Sequence, residues 1–594
     1  MTLGLSELER QAPAEAASSG EPARQRPCPC TVAASLVAVA ALSALFLVAA
    51  KAAYGGNSDD ATLVLQGQSM ASGHLTLSGW DLSYDAFWTS DVPFYALAVA
   101  IVGARQVDMY LVPAVVGALL ALVAASMAGG IPLRMRRPAG PPPGAGVPRP
   151  LVATLAALGT AVALLALPSP VLSYFLLQGG WHAVTALWCL IAFAGVARAK
   201  SRAGLGVAVV FLAAGLLGDL LTAVLGIAPL LVAGAVAARR QASWRAARRY
   251  VAAVAGGCAL ALLARGIALT VGTYTIGSRS VLAAPSQVLR NVASIPDRIA
   301  GMLGVTDTVP GVSASPWPFR LAHLVLLVAV VAALLAALAD LVRGLLGRPV
   351  PAGAPGSAPA DQAPPAAAAG PAGATPGNGA GAGIGTVARD ESWRLDDLLA
   401  VAVLADLVAY VVFATDSNIA LARYLVPGVV FAALLAARWI ARLVRRHPLV
   451  RSRWVAGFAL LLVALCGLDF GLDSLGPAAP QEARALAGFL AARHLDVGIG
   501  DYWSSSVVSV DSGGRVLVRP VQLGRHRKLV RYDKQSTAAW YHTTFQFFVS
   551  DTANPWQGVS SAAAQRTFGA PASVYRVGTY RVLVWAHPVR LLAP

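Results

Sequence analysis

Apolar residues fall along this chain in long runs, not in short amphipathic patches. The runs occupy residues 32–53, 93–130, 151–167, 183–198, 204–218, 221–237, 250–270, 320–342, 397–415, 422–440 and 453–469, with boundaries good to a few positions. Most reach or approach the roughly 20 residues a helix needs to cross a hydrocarbon core. The second run is too long for one span. Its front, "VPFYALAVAIVGARQ", reads as a helix lying along the interface, with a true span starting near residue 108. The pattern predicts an α-helical polytopic membrane protein with about 11 transmembrane helices.

Composition agrees: 57% of the 594 residues are hydrophobic, only 13% are charged, and mean hydropathy is +0.63. A soluble chain carries about a quarter charged residues. The net charge of +17 raises nucleic acid as a partner, but the placement of the basic residues argues against it. Arginine and lysine cluster in short loops between apolar runs, as in "RMRR" at 134–137, "ARAKSR" at 197–202, "RRQASWRAARR" at 239–249 and "RWIARLVRRHPLVRSR" at 438–453. That is the signature of cytoplasmic loops. It places the N-terminal tail, residues 1–31, inside; a cleaved signal peptide would have a shorter apolar core, so the first long run reads as an uncleaved transmembrane helix, with cleavage after it as the alternative.

The remaining organisation follows. Residues 32–342 form a membrane core with external loops at 54–107 and 271–319. Residues 343–395 are almost entirely Ala, Pro and Gly, cannot bury enough to fold, and read as a disordered cytoplasmic linker. Further transmembrane helices occupy 396–469. In 470–594 the periodicity changes. "QEARALAGFLAARHL" is helical, while "VGIGDYW", "VVSVDSGGRVLVRPV" and "SVYRVGTYRVLVWA" read as strands, predicting a small extracytoplasmic α/β domain. Of the five cysteines, Cys189, Cys258 and Cys466 lie in apolar runs and Cys28 and Cys30 in the tail, so the outer domain has no disulfide framework.

Against this apolar background the acids of the first external loop stand out. Asp59 and Asp60 open the segment "DATLVLQGQSMASGH". Adjacent positions on a helix point about 100° apart, so one acid can face a ligand as a general base while the other caps the helix; both can equally be cap and solvated surface. Asp81, Asp85 and Asp91 follow in "GWDLSYDAFWTSDVPFYALA", interleaved with Trp80, Tyr84, Phe87, Trp88, Phe94 and Tyr95. Aromatic residues anchor membrane interfaces, but they also pack on sugar rings, whose hydroxyls carboxylates bind. Asp91, before a proline and an apolar helix, has a cap as its alternative role.

A first external loop opening with paired acids, then an amphipathic helix, then an acid before "PFYALA", resembles the bacterial GT-C superfamily, in its protein mannosyltransferase and aminoarabinose transferase branch. "GLLGDLLTAVLGIAPLLVAG" at 215–234, "ARYLVPGVVFAALLAARWI" at 422–440 and "VGIGDYWSSSVVSVDSGGRVLVRP" add to the likeness. The resemblance implies a glycosyltransferase that takes a sugar from a polyprenyl-phosphate donor. The acceptor is a glycan, lipid or protein outside the cytoplasm. Asp59 matches the family's catalytic acid and Asp60 is the second choice; Asp-Asp stands where the family often has Asp-Glu. Asp85, Asp91, Trp88, Tyr95 and His74 are the expected substrate-binding residues. The leaving phosphate needs a cation. Arg423 and Tyr424, at the external end of a span, and Arg279 are the expected phosphate ligands, with Arg265 a weaker candidate. No cofactor is certain; there is room for a divalent metal, but no clear ligand set. Membrane lipids are the other implied partner.

Asp219, in a tight external turn, and Asp406, inside a span, remain; an intramembrane acid is a functional signal by default. His74 and His182 lack a matched spacing for metal. No P-loop, no GxGxxG before a helix and no HExxH occurs, so nothing points to a cytoplasmic nucleotide-sugar donor. The competing readings are a transporter or flippase of lipid-linked saccharide, for which Asp406 alone speaks, and a GT-C-fold scaffold without activity.

Overall fold

A computed structural model describes residues 29–129, 149–197, 202–277, 282–307, 309, 312, 315–346, 384–415, 418–446 and 452–591. Its helices are α1 (Pro29–Ala53), α2 (Ser58–Ala71), α3 (Val92–Val102), α4 (Asp108–Gly129), α5 (Arg149–Ala161), α6 (Pro170–Leu176), α7 (Ala183–Ala197), α8 (Arg202–Gly218) and α9 (Ala228–Arg240). They continue as α10 (Arg248–Val271), α11 (Pro285–Met302), α12 (Trp317–Leu346), α13 (Ile384–Phe413), α14 (Val426–Arg446) and α15 (Ser452–Ser474). The C-terminal unit adds α16 (Glu482–Ala492), α17 (Ser506–Asp511) and α18 (Ser561–Phe568).

Among the described residues seven helical stretches are long and apolar enough to cross a membrane: Val32–Ala53, Asp108–Gly129, Ala223–Arg240, Arg248–Val271, Trp317–Leu346, Ile419–Arg446 and Trp454–Ser474. An eighth is counted if Pro150–Ala166 and Pro170–Leu176, bent by 71°, form one span. The protein is therefore a polytopic membrane protein. α7 and α8 are apolar but shorter. The interfacial helix expected before residue 108 is α3, broken from α4 at Gly103, whose φ of +79° suits glycine.

Packing in the bundle relies on close approach. α14 lies at its centre, with Val429 to Ala437 all buried. α7 and α8 meet at Gly195, where a Cβ would stand 2.5 Å from the Gly204 carbonyl oxygen. By contrast α10 exposes Leu262, Leu263 and Leu269, as a lipid-facing helix does.

The C-terminal unit holds a six-stranded mixed sheet. Its strands are β3 (Val497–Gly500), β4 (Leu517–Leu523), β5 (Leu529–Arg531), β7 (Phe545–Asp551), β8 (Ser573–Val577) and β9 (Tyr580–Val589), in the order β5-β4-β3-β7-β9-β8. A second, three-stranded sheet joins three remote segments: β1 (Trp80–Leu82) lies between β2 (Thr275–Ile276) and β6 (Ser536–Thr537). This small sheet fastens the C-terminal unit to two of the loops that the sequence placed outside.

Two expectations are corrected. "VVSVD" is not a strand but α17, because its three valines are buried against α2 and α16, and tertiary burial overrides their β propensity. The linker is shorter than 343–395, since α12 runs to Leu346 and α13 begins at Ile384; residues 347–383 lie outside the described set.

Candidate functional site

α2 begins where its polar start is clasped from both sides. Asn57 is the N-cap, its side chain accepting from the Asp60 N–H at 3.0 Å. The cap is therefore Asn57, and neither aspartate fills that role. Ser58 and Thr62 bond to the C-terminal unit, Ser58 Oγ donating to the Trp503 carbonyl at 3.1 Å and Thr62 Oγ1 to Ser506 Oγ at 2.9 Å. Gly67 lets α3 approach closely; a Cβ there would fall 2.7 Å from Tyr95. The rotation of α2 is thereby fixed.

That rotation separates the two acids. Asp59 faces a cavity of about 370 Å³ and is roughly three-quarters buried. Its Oδ2 accepts from Arg423 Nη1 at 3.2 Å and its Oδ1 from the Tyr502 hydroxyl at 2.5 Å. Asp60 points away and is fully buried, with Oδ1 accepting from the Gly179 N–H and Oδ2 without a hydrogen-bond partner. Burial pushes its carboxyl well above the usual carboxylate range, the charges of Asp59 and Asp91 add to this, and the Gly179 N–H opposes it. Gly179 has no substitute here, because a Cβ would stand 2.0 Å from the Tyr95 hydroxyl.

The opposite wall comes from the loop between α6 and α7. His182 is buried with φ +66°, a conformation uncommon outside glycine, and its Nδ1 lies 2.7 Å from Asp219 Oδ2. Thr185 Oγ1 also donates to Asp219, as does the Leu221 N–H at 2.9 Å. Burial alone lowers the affinity of His182 for a proton, but Asp219 outweighs it and raises the pKa above the ordinary histidine value. The ring stacks on Tyr424, centroids 4.9 Å apart. Asp85 lies beside Asp219, and burial together with that neighbouring charge pushes its carboxyl up to about 6.

Arg423 completes the wall. Its guanidinium lies 5.7 Å from the Trp181 ring and 5.5 Å from the Tyr424 ring, and Nε has no hydrogen-bond partner. Aromatic flanks of this kind hold the planar group in one orientation and leave its edges for an anion.

The C-terminal unit supplies the roof. Asp501 caps the "DYWS" turn, accepting from the Ser504 N–H at 3.0 Å and the Asp551 N–H at 3.0 Å, which sets Tyr502 over Asp59. Tyr532 and Trp556 pack on Tyr502, with centroids 5.1 and 5.8 Å away. Asp85, Leu421, Tyr424 and Lys534 also line a second cavity of about 450 Å³, otherwise lined mainly by apolar side chains such as Leu220, Val224 and Phe413. Leu220 and Phe413 are exposed at its edge. A polar chamber thus opens onto an apolar groove between helices.

Of the residues expected at the site, Asp59, Asp85, Arg423 and Tyr424 line the polar chamber. Asp60, Asp91 and Tyr95 stand behind its wall. Asp91 occupies the N-cap position of α3 without capping it, and Oδ1 accepts instead from the Gly180 N–H at 3.3 Å. Trp88 is structural, its indole donating to the Leu75 carbonyl at 2.7 Å. His74 lines a different cavity. Arg265 lies over the Tyr274 ring at 4.4 Å, and Asp81 pairs with Arg531. Arg279 lies outside the described residues. Asp406 accepts from the Gly428 N–H at 3.0 Å, capping the start of α14 from a neighbouring helix. Tyr502, Lys534 and Trp556, together with the His182–Asp219 pairing, are the contributions sequence reasoning missed.

Among the described residues no group of three or more His, Cys, Asp or Glu side chains is arranged to hold a metal ion. No family model matches the chain, and no curated protein matches it.

Proposed function

We propose that this protein is an integral membrane glycosyltransferase of GT-C type, transferring a sugar from a polyprenyl-phosphate donor to an acceptor hydroxyl. The observation that carries the reading is the junction of the two cavities. An apolar groove suited to a polyprenyl chain meets a chamber in which a carboxylate, Asp59, and a guanidinium, Arg423, stand side by side. In this reading about eleven helices span the bilayer, α7 and α8 included, with the Arg-rich loops cytoplasmic and the C-terminal unit outside.

The chemistry is a single displacement. The acceptor oxygen attacks the anomeric carbon and gives its proton to Asp59, while the bond from that carbon to the phosphate oxygen breaks with its electron pair leaving on the phosphate. Arg423 meets the charge growing there, with Lys534 from the roof beside it. Tyr502 holds Asp59 in place, and Asp85 and Trp556 face the sugar. Attack from the side opposite the leaving group inverts the anomeric configuration. Asp406, the residue that speaks for a transport reading, has one carboxylate oxygen on the Gly428 N–H at the start of α14 and does not line the acid chamber.

The test is incubation of membranes containing the full chain with radiolabelled polyprenyl-phosphate sugars. Transfer of label to an envelope acceptor, with inverted configuration in the product, is expected. Absence of transfer from every donor, or retention of configuration, contradicts the proposal.

A further inference from the structure

A third cavity, of about 550 Å³, lies on the far side of the small sheet from the acid chamber. The strands partition the two spaces: Ser83 and Gln535 face the acid chamber, while Trp80 and Thr537 face the third cavity. Gln66, a buried residue of α2, donates to Gln535 at 2.7 Å beside the small sheet. The third cavity thus runs along the outer half of α2 and continues under the C-terminal unit.

Its chemistry differs from that of the acid chamber. Among the described residues no carboxylate lines it; the titratable groups facing it are Arg519 and His74. Arg519, on β4, is mostly buried, and burial pulls its guanidinium down to about 10. Among the described residues no carboxylate pairs with it. Its one contact of note is the Trp540 ring, 4.2 Å from the guanidinium carbon, and Trp540 in turn meets Trp80 edge-on with centroids 5.1 Å apart. A partly desolvated guanidinium beside an indole ring keeps a fork of N–H groups matched to a carboxylate. Hydroxyls of Ser69, Ser72 and Thr537 stand on the same walls. A partly desolvated cation that lines a cavity with no carboxylate beside it suits an anionic ligand.

We propose that this cavity binds an anionic saccharide, a sugar acid whose carboxylate pairs with Arg519 and whose ring packs against the Trp80–Trp540 wall, and that this saccharide is part of the acceptor. The identification as acceptor rests on the transferase reading; the binding site does not. An extended glycan seated here passes the edge of the small sheet to reach Asp59.

The probe is trigalacturonate, with galactotriose as its neutral counterpart, titrated by calorimetry against the full chain in detergent. Saturable binding of trigalacturonate is expected, at least about tenfold tighter than galactotriose and weakened by added salt. Arg519→Gln should weaken it about tenfold or more, and Arg519→Lys, which keeps charge but loses the fork, by less. Trp540→Phe tests the wall in a chain whose size-exclusion profile shows that it folds. Asp59→Asn should leave binding unchanged. Absence of saturable binding by the native chain, equal binding of the neutral trisaccharide, or an unchanged affinity in Arg519→Gln overturns the site. Because binding is read without transfer, an inactive native chain that still binds through Arg519 removes the transferase reading and leaves the site standing. An active chain indifferent to Arg519 does the reverse.

Discussion

The two ends of the helix bundle treat buried acids in opposite ways. At the end that carries the Arg-rich loops, two adjacent acids within α13 meet guanidinium groups: Asp397 is paired with Arg240, and Asp396 with both Arg438 and Arg442. At the other end Asp59, Asp60, Asp85, Asp91 and Asp219 gather near Arg423, His182 and Lys534, and among the described residues neither Asp60 nor Asp91 has an ion-pair partner. Matched pairs tie helices together at little net gain. Buried carboxyls without a cationic partner cost stability, and such perturbed groups cluster at functional sites. The comparison therefore makes the α2 end the candidate site on energetic grounds, before any fold analogy is considered.

Substitutions at the two ends should separate these roles. The largest effect is expected from Asp59→Asn, which removes the base and should lower the rate of transfer by about 10²–10⁴-fold with little change in thermal stability. Arg423→Gln comes next: loss of the cation at the leaving phosphate should cost about 10²–10³-fold in kcat, and kinetics over a donor series checks whether KM rises as well. At the basic end, Arg240→Gln strips the partner from Asp397; it should lower stability by about 1–3 kcal/mol, with turnover per folded molecule unchanged. Transfer and melting measured on the same preparations would break the comparison if Arg240→Gln lost turnover as Arg423→Gln does.

The smallest effect concerns pH. Burial, only partly offset by the Gly180 N–H, raises Asp91 from the ordinary 3.8 to about 6 in the folded chain. The folded state then holds a proton that the unfolded chain has already released, so the contribution of Asp91 to stability is greatest below about pH 4 and is lost as pH rises towards 6. The loss attributable to Asp91 is at most about 3 kcal/mol. Asp91→Asn should flatten that slope in melting curves taken from pH 4 to 7. A slope unchanged in the variant would assign it elsewhere.

Much of the architecture was legible in the sequence, because apolar runs and Arg-rich loops report directly on the cost of burying charge in lipid. The candidate acid was legible for the same reason: few residues in such a chain carry charge outside the loops that set its orientation. Which of the two acids faces the chamber was not. Their side chains diverge by about 100°, and the choice depends on the rotation of α2, which is fixed by Gly67 against α3 and by Ser58 and Thr62 against the C-terminal unit. His182 and Asp219 each drew notice alone, but their pairing across 37 positions belongs to the tertiary fold. Tyr502 meets Asp59 from 443 positions away, and in the sequence it reads only as the end of a strand. His74 and Trp88 fit a sugar-binding composition, yet composition does not distinguish a residue lining the acid chamber from one lining the next cavity or pinning a loop.

The most direct test compares Asp59→Asn with Asp60→Asn in the transfer assay, each checked for expression and donor binding. Asp60 is buried, its carboxyl is pushed well above the usual carboxylate range and it does not line the chamber, so its amide replacement should keep transfer within about tenfold of the native chain, whereas Asp59→Asn should lower it by about 10²–10⁴-fold. Loss of transfer in Asp60→Asn with full activity in Asp59→Asn would contradict the assignment of the base. Full activity in both would remove the catalytic role from this acid pair altogether.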